Sequence, residues 1–505
     1  MSTQFNFTYD QGVSYNQMLG MEIAGQAWSH YLQDNTTINI HIASSSDLPA
    51  GVIGGALPAM KSRVSYENVR NALFNNRTSS LDHTASQHLS QDWRQAVEFD
   101  WVTEADEAIS DQDNRQRLLR RLNMTNANAK ALGIATNGSA LDGFILMGKA
   151  APWSYKFTGT TASTKLDFVS TAMHEIGHIL GFVSGLDNPG ELRSAWQAFQ
   201  SNRMAEYEQK LWNRANSGTV LDLFRFNAER TSANPDFSYG NFGGWKKFSV
   251  DDGATALGYF ANGDSINDGG DGYQASHWQS SEWYQANSVM APALGRGRRQ
   301  SIGWVDVQAM DAIGWDVRND YAVSWGTLRD RAKAAMAAKL NTSIEWMEAN
   351  KSQTVSSLRQ SREADVTQMI KKSVIYEWGV DGGGWWQKVK QIFQQRALFS
   401  KIDLGAAQPL TNVTSNRSSS ATTPAYPELT VQWEKSNDNA QSTIEQNGVT
   451  VQATSVQLVQ VQNSEFDLNT PKAFSISVGQ IAKQPGLDNQ IDWGIPGDGY
   501  WDNQI

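Results

Sequence analysis

TKLDFVSTAMHEIGHILG, Thr164 to Gly181, is the stretch from which the rest of the chain is read. Thr164 with Asp167 three residues on is a capping-box signature, so the spacing predicts a helix that begins there. Leu166, Val169, Met173, Ile176 and Leu180 recur at helical spacing and form one apolar stripe. Gly181 follows at the position where a left-handed residue closes a helix. The helix so outlined carries His174, Glu175 and His178. Residues four apart lie one turn apart on one face, so both imidazoles can reach a single ion. Glu175 stands beside them, suited to polarise water rather than to ligate. Two neutral imidazoles leave a cation electron-poor, which makes a water on it acidic near neutral pH. The competing reading is a solvated His-Glu-His face. With 7 His in 505 residues, chance gives the three fixed positions roughly once in two hundred such chains. The capped helix and its apolar opposite side favour a buried cleft.

Composition bounds the rest. A chain of 505 residues exceeds one ordinary core, and 40% apolar residues with 19 Trp and 19 Phe can fill a large interior. The net charge of −10 and pI near 5.3 argue against non-specific nucleic-acid binding. Segment 324–400 is locally basic, with 12 Lys and Arg against 7 Asp and Glu, but spread along a helical pattern it reads as a solvated face. Cysteine is absent, which excludes disulfides, thiolate metal sites, cysteine nucleophiles and thiolate latency together. The first residues, MSTQFNFTYDQGVSYNQMLG, lack the charged and apolar blocks of a signal peptide. No apolar run is long enough for a membrane span, so none is expected.

Outward from the central helix, residues 18–33 show helical spacing at Met18, Ile23, Ala27 and Tyr31. In residues 36–42, Ile38, Ile40 and Ile42 alternate with polar partners, as in a half-buried strand. Residues 142–148 read as a buried strand, and 65–130 as polar and largely helical. Region 185–275 is Gly/Asn/Asp-rich with helical pieces, notably 191–215, and 263–272 is a loop by composition. VDVQAMDAIGWDV, 305–317, predicts a short amphipathic helix. From Ser324 a three-four spacing through Trp325, Leu328, Ala332, Met336 and Leu340 predicts a helix to about Trp378. GVDGGG, 379–384, breaks it, and a second helix is expected to about Leu398. Residues 405–425 are Ser/Thr/Pro/Asn-rich, a linker by composition, and the segments beyond alternate as strands. The fold class expected is α+β.

His174-Glu175-x-x-His178-x-x-Gly181 resembles the metzincin clan of zinc endopeptidases. In that clan the glycine turns the chain so that a third ligand comes from outside the helix. The usual spacing would put it at 184, where this chain has Ser184, a poor zinc ligand. In the leishmanolysin-like branch a large insertion separates the glycine from a third histidine, which stands shortly before a methionine turn. Ala275-Ser276-His277-Trp278 precedes Ser288-Val289-Met290-Ala291-Pro292 in that order. The chain therefore resembles a metzincin of bacterial, cyanobacterial type related to leishmanolysin, over roughly residues 18–318. The resemblance implies His277 as third ligand and Met290 as the methionine beneath the site. It also implies a catalytic domain over 1–320, with a twisted mixed sheet, the active-site helix and a C-terminal subdomain holding the Met-turn. A helical segment (321–400), a linker (401–425) and a β-rich region (426–505) would follow. Asp187 is the competing third ligand, whereas His30, His41, His83 and His88 read as surface histidines, the last two in a loop.

The expectation is a Zn2+-dependent endopeptidase acting on protein or peptide substrates, secreted or at the cell surface. Glu175 would take a proton from water and pass it to the leaving amine. Two alternatives are a silent metzincin scaffold used for binding and a zinc hydrolase of a non-peptide substrate. Clan members often place a tyrosine two residues after the methionine, but Pro292 stands there and no partner is assigned. The strand around Phe144–Met147 is either a cleft edge pairing with extended substrate or an internal strand. Asp264, Asp268 and Asp271 offer oxygen ligands for Ca2+, although a polar turn is the simpler reading. Met173, Trp385 and Trp386 read as core or interface residues.

Overall fold

Ser14 opens the first helix with a capping box closed by Gln17, and the helix, α1 (Tyr15–Tyr31), carries the chain from strand β1 (Gln4–Tyr9) to strand β2 (Thr37–Ser45). The two strands pair in parallel with Phe7 opposite Ile40, as a crossover connection requires. This computed structural model describes residues 2–45, 52–91, 95–100, 118–186, 201–203, 205–206, 218–229, 233–237, 245–263, 270–279, 287–318 and 322–374, together with strands at 398–403, 430–436, 439–446 and 449–454. The expected helices over 191–215 and 385–398, the linker at 405–425, the tail beyond 454 and the Trp385–Trp386 patch fall largely or wholly outside the described residues.

Four more strands complete the main sheet: β3 (Val52–Pro58), β4 (Gly143–Gly148), β5 (Ala293–Gly295) and β6 (Leu398–Asp403). Their order is β1-β2-β4-β3-β6-β5. β1, β2 and β4 run parallel, β3 is antiparallel to β4, β6 is antiparallel to β3, and β5 is parallel to β6. With a mixed sheet and helices packed on it, the chain is an α+β protein. Strand β4 lies between β2 and β3, so Phe144–Met147 form an internal strand and not the cleft edge.

Burial differs from the alternation read in β2. Ile38, Ile40 and Ile42 are buried, but so are Asn39 and His41, because both faces of the strand are covered. Asn39 Nδ2 donates to the carbonyls of Gly138 and Ala140, and His41 Nδ1 meets Thr8 Oγ1 at 2.9 Å. His41 is therefore not a surface histidine, and burial pushes its imidazole down to about 4.

The central helix, α2 (Phe168–Leu180), starts later than Thr164. Leu166–Asp167 pairs as a short parallel strand with Trp153–Ser154, which holds those residues extended. Asp167 is the N-cap: its Oδ1 accepts from Ser170 N at 2.9 Å, and Arg299 Nη2 meets its Oδ2 at 2.6 Å. Trp28 of α1 donates from Nε1 to the Met173 carbonyl, which ties the two helices together.

Segment 65–130 is less helical than expected. Met60–Ser65 pairs antiparallel with Arg121–Thr125, and helices cover Tyr66–Asn75, Ser80–His88 and Asn126–Ala131. His83 and His88 lie on a helix and not in a loop, and His88 pairs with Asp252. Region 185–275 holds a three-stranded antiparallel sheet, Arg225–Asn227, Lys246–Phe248 and Gly258–Phe260. The helix expected over 305–317 is α3 (Trp304–Ala312).

The long helix expected from Ser324 is broken into α4 (Trp325–Lys339), Ile344–Ala349, Lys351–Leu358 and Glu363–Val374. Its first break passes through Asn341 at φ 50°, a left-handed conformation that no helix continues. Leu328, Ala332 and Met336 of α4 join the same core as α1, and Lys339 Nζ meets Glu22 Oε1 at 2.7 Å. Strands Thr430–Ser436, Asn439–Gln446 and Val449–Thr454 form an antiparallel sheet of their own. No helix among the described residues is long and apolar enough to cross a membrane.

Candidate metal centre

Helix α2 sets His174, Glu175 and His178 in the interior, each 3% exposed or less. The helix ends at Gly181, whose φ of 128° lies in the positive region that side chains avoid. The Phe182 amide turns back to the Gly177 carbonyl, and the Phe182 carbonyl then accepts from His178 Nδ1 at 2.8 Å. Gly181 thus aims the chain so that its next residue fixes one of the two helix histidines.

Ser184, where the clan spacing would call for a ligand, has a structural task instead. Its hydroxyl donates to Asp222 Oδ1 at 2.6 Å, and its amide donates to Ser276 Oγ at 2.8 Å. The second bond fixes the residue preceding His277. Across 99 positions from His178, His277 arrives 1% exposed. Its Nδ1 donates to the Gln274 carbonyl at 3.0 Å, and His174 Nδ1 donates to the Val289 carbonyl at 2.7 Å.

These three bonds decide the tautomers. A carbonyl can only accept, so each Nδ1 carries the proton and each Nε2 keeps its lone pair. The Nε2 atoms of His178 and His277 lie 2.9 and 3.2 Å from that of His174. Burial lowers His174 to about 4, and burial followed by the neighbouring imidazoles drives His178 well below the ordinary value, so both helix imidazoles are neutral at ordinary pH. Three lone pairs facing one another in a buried space repel unless a cation lies among them. A tetrahedral zinc with about 2.0–2.1 Å bonds sets its nitrogen ligands roughly 3.3 Å apart. The three ligand atoms here lie within 4.8 Å of one another, and the three histidines are the one such group among the described residues. The buried cluster is able to hold a metal ion.

Met290 is fully buried against the same helix. A β-carbon on Gly177 would fall 2.3 Å from the Met290 sulfur, so the helix tolerates the methionine only because position 177 is glycine. Glu175 is also fully buried, and a β-carbon on Gly54 of β3 would come 3.0 Å from its Oε1.

Asp306 organises the methionine turn and escaped the sequence reading. Its buried carboxylate accepts from Trp278 Nε1 at 2.8 Å, from Ser288 Oγ, and from the amides of Val289, Met290 and Gly303. One side chain on α3 therefore holds the residue after His277, the carbonyl-bearing partner of His174, and Met290. In the sequence Asp306 shows only as an acid three residues into a helix, a capping signal without reach. Asp222 and Ser276 left no local signal at all.

Other candidates are elsewhere. His30, His41, His83 and His88 are not in the cluster, and Asp187 is outside the described residues. Asp264 and Asp268 of the suggested Ca2+ loop also lie outside them. Asp271 spends both carboxylate oxygens on the amides of Asn262 and Tyr273.

No family model matches the chain, and neither a curated protein nor a solved structure matches it.

Proposed function

We propose that this chain is a zinc-dependent endopeptidase of metzincin type, akin to the leishmanolysin-like branch. The observation that carries the reading is the meeting of three buried imidazoles on and beside a helix that also bears a buried glutamate one residue along. His174, His178 and His277 would hold the ion, and three protein ligands leave a coordination position open, as catalytic rather than structural zinc sites do. When bound, zinc supplies a Lewis acid for a carbonyl oxygen and makes a water in the site acidic near neutral pH. Glu175 takes that water's proton and delivers it to the departing amine nitrogen. The Nδ1 bonds to Gln274, Val289 and Phe182 keep the three rings from turning away. Met290 and Gly177 supply an apolar floor that excludes solvent from one side.

The test uses the purified full chain. One zinc per chain and cleavage of casein are expected, with cleavage lost to a chelator. Glu175→Ala should retain zinc while turnover falls about 10²–10⁴-fold, and His277→Ala should lose the metal. A native protein that holds one zinc yet leaves casein and a peptide library intact would overturn the peptidase reading.

A further inference from the structure

Strand β6 reaches the site from far along the chain. The preceding described element ends at Val374, and β6 begins at Leu398. It enters the sheet between β3 and β5, antiparallel to the first and parallel to the second. Both neighbours belong to the walls of the metal centre. Strand β3 carries Gly54 against Glu175, and β5 starts three residues after Met290. Ser400 pairs with Gly54, and the register breaks between Ser400 and Lys401, beside the β3 residue that faces the glutamate. Strand β6 also runs beside α2. At Gly54 and Gly55 the wall offers main chain without side chains, and these are the positions opposite Ser400 and Phe399.

An extended peptide recognised through main-chain hydrogen bonds needs an open strand edge, and such bonds are largely indifferent to sequence. The groove between β3 and β5 has the width of one strand, because one strand fills it. We propose that β6 is a self-inhibiting strand: residues 398–403 occupy the groove that an extended peptide substrate enters, and must leave before cleavage. This inference rests on the endopeptidase reading of the same site. Tethering makes the strand a competitor at an effective concentration on the order of millimolar. A segment that binds its own groove weakly would still depress the affinity for an incoming peptide by about tenfold.

The full chain carrying Phe399→Pro and Ser400→Pro tests it. Both positions pair with β3, and proline lacks the N–H that a strand ladder needs, so the two substitutions break the pairing of β6 opposite Gly54 and Gly55. The probe is a fluorescent decapeptide of sequence RALFSKIDLG, residues 396–405. It should bind the proline variant about tenfold more tightly than the native chain, and casein hydrolysis should rise by a similar factor. Ala56→Cys with Leu398→Cys pulls in the opposite direction. The chain has no other cysteine and these positions are directly opposed, so oxidation should lock the strand in and abolish peptide binding until reduction. This pair decides the matter if the proline variant unfolds. A cross-link that fails to form would show that residue 398 does not rest opposite Ala56, and peptide binding that neither variant changes would show β6 to be a fixed sheet strand; either result would sink the proposal. Peptide binding that responds while casein stays uncut would keep the strand proposal and remove the endopeptidase reading alone.

Discussion

At position 54, a β-carbon would lie 3.0 Å from Glu175 Oε1, 3.1 Å from Thr171 Cγ2 and 3.4 Å from the Met147 sulfur. All three side chains are buried in the packed interior, and the glutamate oxygen is the nearest of them to the added carbon. Gly54→Ala therefore acts on the carboxylate and spares the histidines, whose Nδ1 anchors are on other segments. A displacement of the base by a few tenths of an ångström to 1 Å should lower kcat by roughly 10–100-fold. Zinc content should remain at the native level. Metal analysis alongside casein kinetics checks both, and a variant that loses zinc and activity together would show that β3 supports the ligands instead. His41 makes the complementary point. It reads as polar and exposed by alternation, yet it is buried, neutral and bonded to Thr8, far from any ligand role.

Between elements, acidic side chains bind the end of α3 to the N-terminal part of the chain. Asp311 of α3 accepts from Ser79 Oγ at 2.7 Å, Thr78 Oγ1 donates to Asp316, and the Asp316 amide donates to Asp34. Burial, assisted by the charges of Asp82 and Asp316 and opposed by the Ser79 bond, pushes Asp311 up to about 7. Asp34 likewise rises to about 7, through burial and then Asp316. A carboxyl whose folded value is raised is stabilising while protonated, fully so below its unfolded value near 4, and that contribution is lost as pH climbs through 7. Asp311→Asn keeps an acceptor for Ser79 and cannot ionise. It should be more stable than the native chain at pH 8 by on the order of 2–4 kcal/mol and nearly equal at pH 4. Urea unfolding at the two pH values measures the difference, and an equal effect at both would mean that Asp311 is ionised without cost in the fold.

Across the whole molecule, what the sequence made legible is what local spacing encodes. The apolar stripe, the terminal glycine and the two histidines four apart outline α2 without reference to any other segment. The helix starts later than its local pattern implies because Leu166–Asp167 is held extended by Trp153–Ser154, a pairing that no local pattern announces. The same holds for Gly54, Ser276, Asp222 and Asp306, whose roles exist only once distant segments meet. His277 carries no local signal of its own, and the fold brings its Nε2 to 3.2 Å from that of His174 across 103 positions. That separation bears on stability. An unfolded chain seldom gathers ligands so far apart, so an ion held by the three histidines would bind the native state and stabilise it by mass action. At a thousandfold excess over Kd the gain is about 4 kcal/mol. The residues around the site belong to the same core cluster as α1, α2, α3 and α4, so the gain should shift one main unfolding transition upward. A rise of roughly 5 °C on adding zinc to the metal-free chain is expected. Glu175→Ala should keep that rise, since the glutamate is no ligand, and His277→Ala should lose it. Calorimetry of the three proteins with and without zinc separates holding the metal from using it. If all three respond alike, the ion is binding elsewhere on the chain, and the three imidazoles meet for another reason.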